Sequence, residues 1–187
     1  MSKFFFDYIV ALAVAFIFAL PFLVIIVAVK ISSKGPVFYW SKRVGKNSEF
    51  FMMPKFRTMH IDTPEVATDV LQNPDQYVTS VGSFLRRTSL DELPQLISVL
   101  RGEMSIVGPR PALYNQVDLI SERRAMGIDL LLPGITGWAQ INGRDEVDLS
   151  TKLDLDNEYL QRQNIWLDIK IICLTILAVI YSRGVKH

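Results

Sequence analysis

From Tyr8 to Val29 no residue carries a charge, and nearly every side chain is large and apolar. Water cannot accommodate such a run, so it must be buried in lipid or protein, and everything downstream is placed relative to it. As a helix it would be roughly 33 Å long at about 1.5 Å per residue, enough to cross a hydrocarbon core. It is too long for a cleaved signal peptide, and no small-x-small cleavage site precedes the charged region. Pro21 sits mid-run, where it removes a backbone donor and clashes with the preceding turn. Two arrangements stay open on the residues alone. One is a kinked spanning helix; the other is a re-entrant hairpin that breaks near Leu20-Pro21 and returns to the face it entered. The hairpin would keep Lys3 and Lys30 in one cytoplasmic headgroup layer. Lys30, Lys34, Lys42, Arg43, Lys46, Lys55 and Arg57 against Glu49 alone put the following segment on the cytoplasmic side.

The organisation that follows is an N-terminal membrane helix over residues 1–34 and a cytoplasmic, membrane-associated catalytic domain over residues 35–187. Val37 to Trp40, Glu49 to Met53 and Lys55 to Met59 read as strands around a turn at Val44 to Asn47. Residues 62–79 read as a loop region with a short helix at most. Leu93 to Leu100 and Tyr114 to Met126 read as helices, and Pro133 to Arg144 is too dense in turn residues to be regular. A helical stripe of Leu149, Leu153, Asp156 and Leu160 puts a carboxylate on an apolar face, where it is either paired structurally or part of a site. Ile165 to Tyr181 forms a last helix whose uncharged part is too short to span, so it lies at the interface or packs on the core. The fold class is α+β, mainly helical with a small β element, monotopic in the membrane. Phe4, Phe5, Phe6, Tyr8, Trp40, Trp138 and Trp166 read as interfacial anchors or core.

Composition closes several routes. A net charge of +1 gives no electrostatic reason for a nucleic-acid partner. Cys173 alone allows no internal disulfide, and its apolar neighbours suggest a buried thiol. Two histidines make a structural zinc site improbable. No P-loop, dinucleotide fingerprint or nucleophile elbow is present.

The chemistry concentrates around Asp91-Glu92. Taken alone, the pair reads as a helix start, with Asp91 as N-cap or Ser89-x-x-Glu92 as a capping box. A cap and a catalytic role are compatible, because the helix dipole favours an ionised carboxylate and a carboxylate attacking phosphorus forms an acyl phosphate. Arg86, Arg110 and Arg144 lie in turn-rich segments, and guanidinium groups match phosphate oxygens. Pro109 and Pro111 restrict the backbone on both sides of Arg110. Lys55 fits the same chemistry, though a basic surface against lipid explains it equally well.

Four stretches together resemble the bacterial sugar transferase family, the small monotopic phosphoglycosyl transferases. They are Lys55-Phe56-Arg57-Thr58-Met59, Ser89-Leu90-Asp91-Glu92-Leu93-Pro94-Gln95-Leu96, Gly108-Pro109-Arg110-Pro111, and Pro133-Gly134-Ile135-Thr136-Gly137 with Gln140-x-Asn142-Gly143-Arg144. The resemblance covers almost the whole chain. It implies an inner-membrane enzyme that moves a sugar-1-phosphate from a UDP-sugar to undecaprenyl phosphate and releases UMP. It implies Asp91 as nucleophile, Glu92 and Asp91 as Mg²⁺ ligands, and Lys55, Arg86, Arg110, Arg144, Asp156 and Asp168 around the substrate phosphates. It also implies a re-entrant N-terminal helix-break-helix. The family often has serine before the breaking proline; here the pair is Leu20-Pro21, so the break rests on the proline and its surroundings. Membrane lipids, downstream glycosyltransferases and a second copy of the chain are the further partners to consider. A non-catalytic scaffold for glycosyltransferases, or an aspartyl phosphatase acting on lipid diphosphates, would use the same features differently. The sequence names no sugar.

Overall fold

The computed structural model describes residues 2–63, 74–143 and 148–181. The apolar N-terminus folds as α1 (Lys3–Ile17) and α2 (Ala19–Ser32), bent by 63° across Phe18. The break therefore falls at Phe18, just ahead of Leu20-Pro21, near which it is expected. The reason is local: a proline ring collides with the carbonyl four residues before it, and for Pro21 that residue is Ile17, where α1 stops. Pro21 then occupies the first turn of α2, where its missing N–H leaves no bond unmade. Neither helix alone is long and apolar enough to cross a membrane; the bent pair together passes that test.

Both ends of the pair are fastened to the body that follows residue 34. At the start, Lys3 Nζ donates to Asp168 Oδ2 at 2.8 Å, and Ser105 Oγ donates to Asp7 Oδ2 at 2.8 Å. At the end, the buried Arg57 guanidinium donates to the Ser33 and Lys34 carbonyls. Arg57, expected on a basic surface, is thus a clamp on the outgoing chain.

β1 (Phe38–Val44) and β2 (Phe50–Phe56) form an antiparallel hairpin, with Trp40 opposite Pro54 and Tyr39 opposite Lys55. α3 (Ser80–Thr88) is capped by the Thr79 hydroxyl, which accepts from Gly82 N at 2.9 Å. A 3-10 segment (Leu90–Gln95) runs into the short α4 (Leu96–Leu100). β3 (Ser105–Val107) pairs in parallel with β4 (Gly134–Thr136), joined through α5 (Val117–Ala125). α6 (Trp138–Asn142), α7 (Leu149–Arg162) and α8 (Ile165–Ile180) complete the chain.

The segment expected to be irregular thus contains β4 and α6. Its glycines serve close approach more than turning: a Cβ on Gly134 would sit 2.1 Å from Gly108 N, and one on Gly108 would sit 2.3 Å from the Leu132 carbonyl oxygen. Packed at that distance, β3 and β4 carry the Gly108–Pro111 loop directly off their ends.

The main core joins Ala11 of α1, Met53, Val99, Met104, Val107, Tyr159 and Ile171. A second cluster unites Ile25 and Val29 of α2 with Phe56 and Leu85, and a third gathers Ala112, Leu119, Ile128 and Leu153. What the core leaves outside is unusually apolar: Phe16 is 84% exposed, Leu20 72%, Trp166 81% and Ile180 67%. Cys173, expected to be buried, is exposed on α8.

Candidate active site

The dyad is positioned by a reversal between α3 and the 3-10 segment. Ser89 adopts the left-handed conformation (φ 55°), uncommon for a residue with a side chain, and turns the chain back across β2. Ser89 occupies the cap position, but its side chain makes no capping bond, so neither expected cap forms. Asp91 and Glu92 lie in the first turn of the 3-10 segment, with Pro94 inside it.

β2 supplies the nearest cation. Lys55 Nζ donates to Glu92 Oε1 at 2.7 Å and stands 3.7 Å from Asp91 Oδ2. Arg110 approaches the same Glu92 oxygen through Nη1 at 3.3 Å and Nη2 at 3.4 Å. Arg86, whose Nε donates to Thr58 Oγ1 at 2.9 Å, is near enough for its charge to act on Asp91. The structure therefore gathers Lys55, Arg86, Asp91, Glu92 and Arg110 in one place. Arg110 has 36% of its side chain exposed, against 16% for Lys55 and 17% for Glu92, so the cluster meets solvent at Arg110.

The two carboxyls are electrostatically unlike. Burial pushes Asp91 above the ordinary carboxylate range, Lys55 opposes this, the neighbouring Glu92 charge adds to it, and Arg86 and Arg110 oppose it. Burial would also raise Glu92, but Lys55 and Arg110, by charge and by hydrogen bond, hold it down at about 2. The helix dipole is expected to favour an ionised Asp91; burial works against this, and the Lys55, Arg86 and Arg110 charges work for it.

The Gly108–Pro111 loop is held through its carbonyls, since two of its residues are prolines without an N–H. Gly134 N donates to Pro109 O at 2.9 Å, Arg123 Nη1 to Arg110 O at 2.7 Å, Arg43 Nη1 to Pro111 O at 3.1 Å, and Val44 N to Ala112 O at 2.9 Å. Four consecutive carbonyls are thereby pinned from three different elements, β1, β4 and α5.

The late acids are placed elsewhere. Asp156 pairs with Arg123, accepting on Oδ2 from Nη2 at 2.6 Å and from Nε at 3.1 Å. Asp168 accepts from Tyr159 at 2.7 Å and from Lys3, in a buried polar cluster beneath α1. Burial and the Asp168 charge push the Tyr159 hydroxyl up, so it stays a donor. Arg144 lies outside the described residues. Sequence reasoning missed Asp7, Arg57 and Arg123. A carboxylate at the edge of an apolar helix was the one available signal for Asp7; Arg57 stands in a stretch that carries the family resemblance but with no role attached, and nothing local marks Arg123.

The bacterial sugar transferase family model matches residues 1–182. The exopolysaccharide production protein ExoY of Rhizobium meliloti (strain 1021) is 39% identical over 199 residues, which cover 98% of this chain and 88% of that protein. The sugar transferase EpsL of Bacillus subtilis (strain 168) is 41% identical over 89% of this chain and 80% of its own length. The UDP-glucose:undecaprenyl-phosphate glucose-1-phosphate transferase of Escherichia coli (strain K12) is 46% identical over 81% of this chain, which spans 34% of that larger protein.

Proposed function

Because this chain belongs to the bacterial sugar transferase family, we propose that it transfers a sugar-1-phosphate from a UDP-sugar to undecaprenyl phosphate. The observation that carries the reading is the gathering of Asp91 and Glu92 with Lys55, Arg86 and Arg110. Two carboxylates alone would repel a diphosphate; three cations around them supply what phosphate oxygens require.

In the first step an Asp91 carboxylate oxygen attacks the β-phosphorus. The bond from that phosphorus to the bridging oxygen breaks, and UMP leaves with the electron pair. The product is a sugar phosphate esterified to Asp91 as an acyl phosphate. In the second step a phosphate oxygen of undecaprenyl phosphate attacks the same phosphorus, expels the Asp91 carboxylate and forms a lipid-linked diphosphosugar. Arg110, held through its backbone and open to solvent, orients the phosphates. Lys55 stabilises the anionic carboxylate before attack and after release.

The donor set suits Mg²⁺. Asp91 and Glu92 offer adjacent hard oxygens, and Glu92 stays ionised. Glu92 and Asp91 would hold the ion, which when bound neutralises diphosphate charge.

The reaction takes place at the cytoplasmic face of the inner membrane in this reading. The exposed apolar surfaces of α1, α2 and α8 rest in the bilayer. A re-entrant course is supported by Lys3 and Lys34 both being tied to the same body. UMP release from a panel of UDP-sugars, with undecaprenyl phosphate in detergent, tests the proposal. Release with at least one sugar is expected, and none with any sugar refutes it.

A further inference from the structure

We propose that Arg123 is a positioning residue for Arg110, and that Asp156 acts on the site through it. Arg123 is buried, at 8% exposure, and Asp156 is 2% exposed. The guanidinium divides its donors: Nε and Nη2 go to Asp156 Oδ2, while Nη1 goes to the Arg110 carbonyl. A planar fork fixed on one side by two bonds to a carboxylate presents its third nitrogen in a set direction. That nitrogen reaches the backbone of the residue whose side chain meets Glu92. A continuous line thus runs from α7 through α5 to the dyad.

The other fastenings of the loop leave this one distinct. The bonds to Pro109 O and Ala112 O come from backbone N–H groups, and those to Arg110 O and Pro111 O come from side chains. Because Arg110 lies between prolines, backbone restriction sets its φ/ψ range, and the carbonyl bond selects the orientation within it. A purely structural Arg123–Asp156 pair would require only that both charges be satisfied. Here the third nitrogen bonds the residue that contacts the dyad.

The inference rests on the transfer reading, and a double-mutant cycle separates the two. Arg123→Lys keeps the charge but cannot bond Asp156 twice and the Arg110 carbonyl at once. It is expected to lower UMP release by about tenfold or more. In an Arg110→Lys background, the same substitution is expected to cost little further, because its route to the phosphates is already gone. Asp156→Asn should follow the same pattern. Leu153→Ala, which opens the neighbouring apolar cluster on α7 without touching the Arg110 carbonyl, should lower the melting temperature while leaving release below that temperature nearly unchanged.

The cycle is read on UMP release and, independently of turnover, on the Kd for UDP. Losses that multiply across the two positions on both readouts overturn the proposal, as does a Leu153→Ala loss equal to that of Arg123→Lys at matched stability. If the unsubstituted protein releases no UMP with any sugar, the transfer reading fails, and the UDP cycle alone decides whether Arg123 acts through Arg110.

Discussion

Lys55 donates to Glu92 at 2.7 Å while standing 3.7 Å from Asp91, so one ammonium is committed to the residue beside the proposed nucleophile. The arrangement sorts the carboxyls. Glu92 takes the hydrogen bond and remains an anion to about pH 2, whereas Asp91 receives only a longer-range attraction and sits above the ordinary range through burial. Removing the Lys55 charge should therefore raise Asp91 further. Activity that requires ionised Asp91 is lost as pH falls through its folded value, so in Lys55→Met the acid limb of kcat/KM should move to higher pH. A pH profile of UMP release checks this; an unmoved limb would assign it to another group.

The same split gives opposite stability effects. A carboxyl raised by the fold favours folding only at low pH, and that contribution is lost as pH rises through its folded value. Asp91 is such a group, so Asp91→Asn should raise the melting temperature at neutral pH while abolishing transfer. Glu92 is lowered from an ordinary 4.5 to about 2, so its contribution is fully present above 4.5 and is lost as pH falls through 2. Glu92→Gln should accordingly destabilise at neutral pH, by roughly 2 kcal/mol, on the scale of hydrogen bonds to charged groups. Thermal unfolding of the two variants at pH 7 reads both signs.

Gly82 has no room for a side chain: a Cβ there would lie 2.0 Å from the Thr58 carbonyl oxygen. Since Thr58 also accepts from Arg86, Gly82→Ala should cost about 1–3 kcal/mol by overpacking and displace Arg86 as well. The expected result is a lower melting temperature and a higher KM for the UDP-sugar. A change in stability with KM unaltered would show that Arg86 is not held through Thr58.

The re-entrant course predicts a labelling pattern. In a Cys173→Ser background, Ser2→Cys and Lys46→Cys should both be modified by a membrane-impermeant maleimide only from the cytoplasmic side. Modification of Ser2→Cys from the opposite side would mean that the bent pair crosses the bilayer.

Several elements were legible in the sequence because their signals are local. The apolar run, the β1–β2 hairpin, the helix that became α5 and the amphipathic stripe of α7 all follow from periodicity and turn residues. The stripe even exposed Asp156 as a carboxylate that needed a partner. The partner itself was not legible. Arg123 lies far away in sequence, and nothing near it distinguishes it from Arg124. Arg57 hid for a similar reason, since a basic residue among lysines reads as surface until the chain end it clamps is seen. The β4–α6 segment misled because glycines needed for close backbone approach look like glycines needed for turns. The site residues Lys55, Arg86, Asp91, Glu92 and Arg110 were each visible singly; their convergence depends on the Ser89 reversal, which no residue type announces.

The most direct test is capture of the covalent species. The protein is incubated with a UDP-sugar that supports UMP release, quenched without lipid acceptor, and analysed by intact mass and peptide mapping. A mass increase of one sugar phosphate is expected on the peptide containing Asp91, absent from Asp91→Asn and discharged on adding undecaprenyl phosphate. Lipid-dependent transfer with no adduct at any time, or an adduct on another residue, would contradict the account.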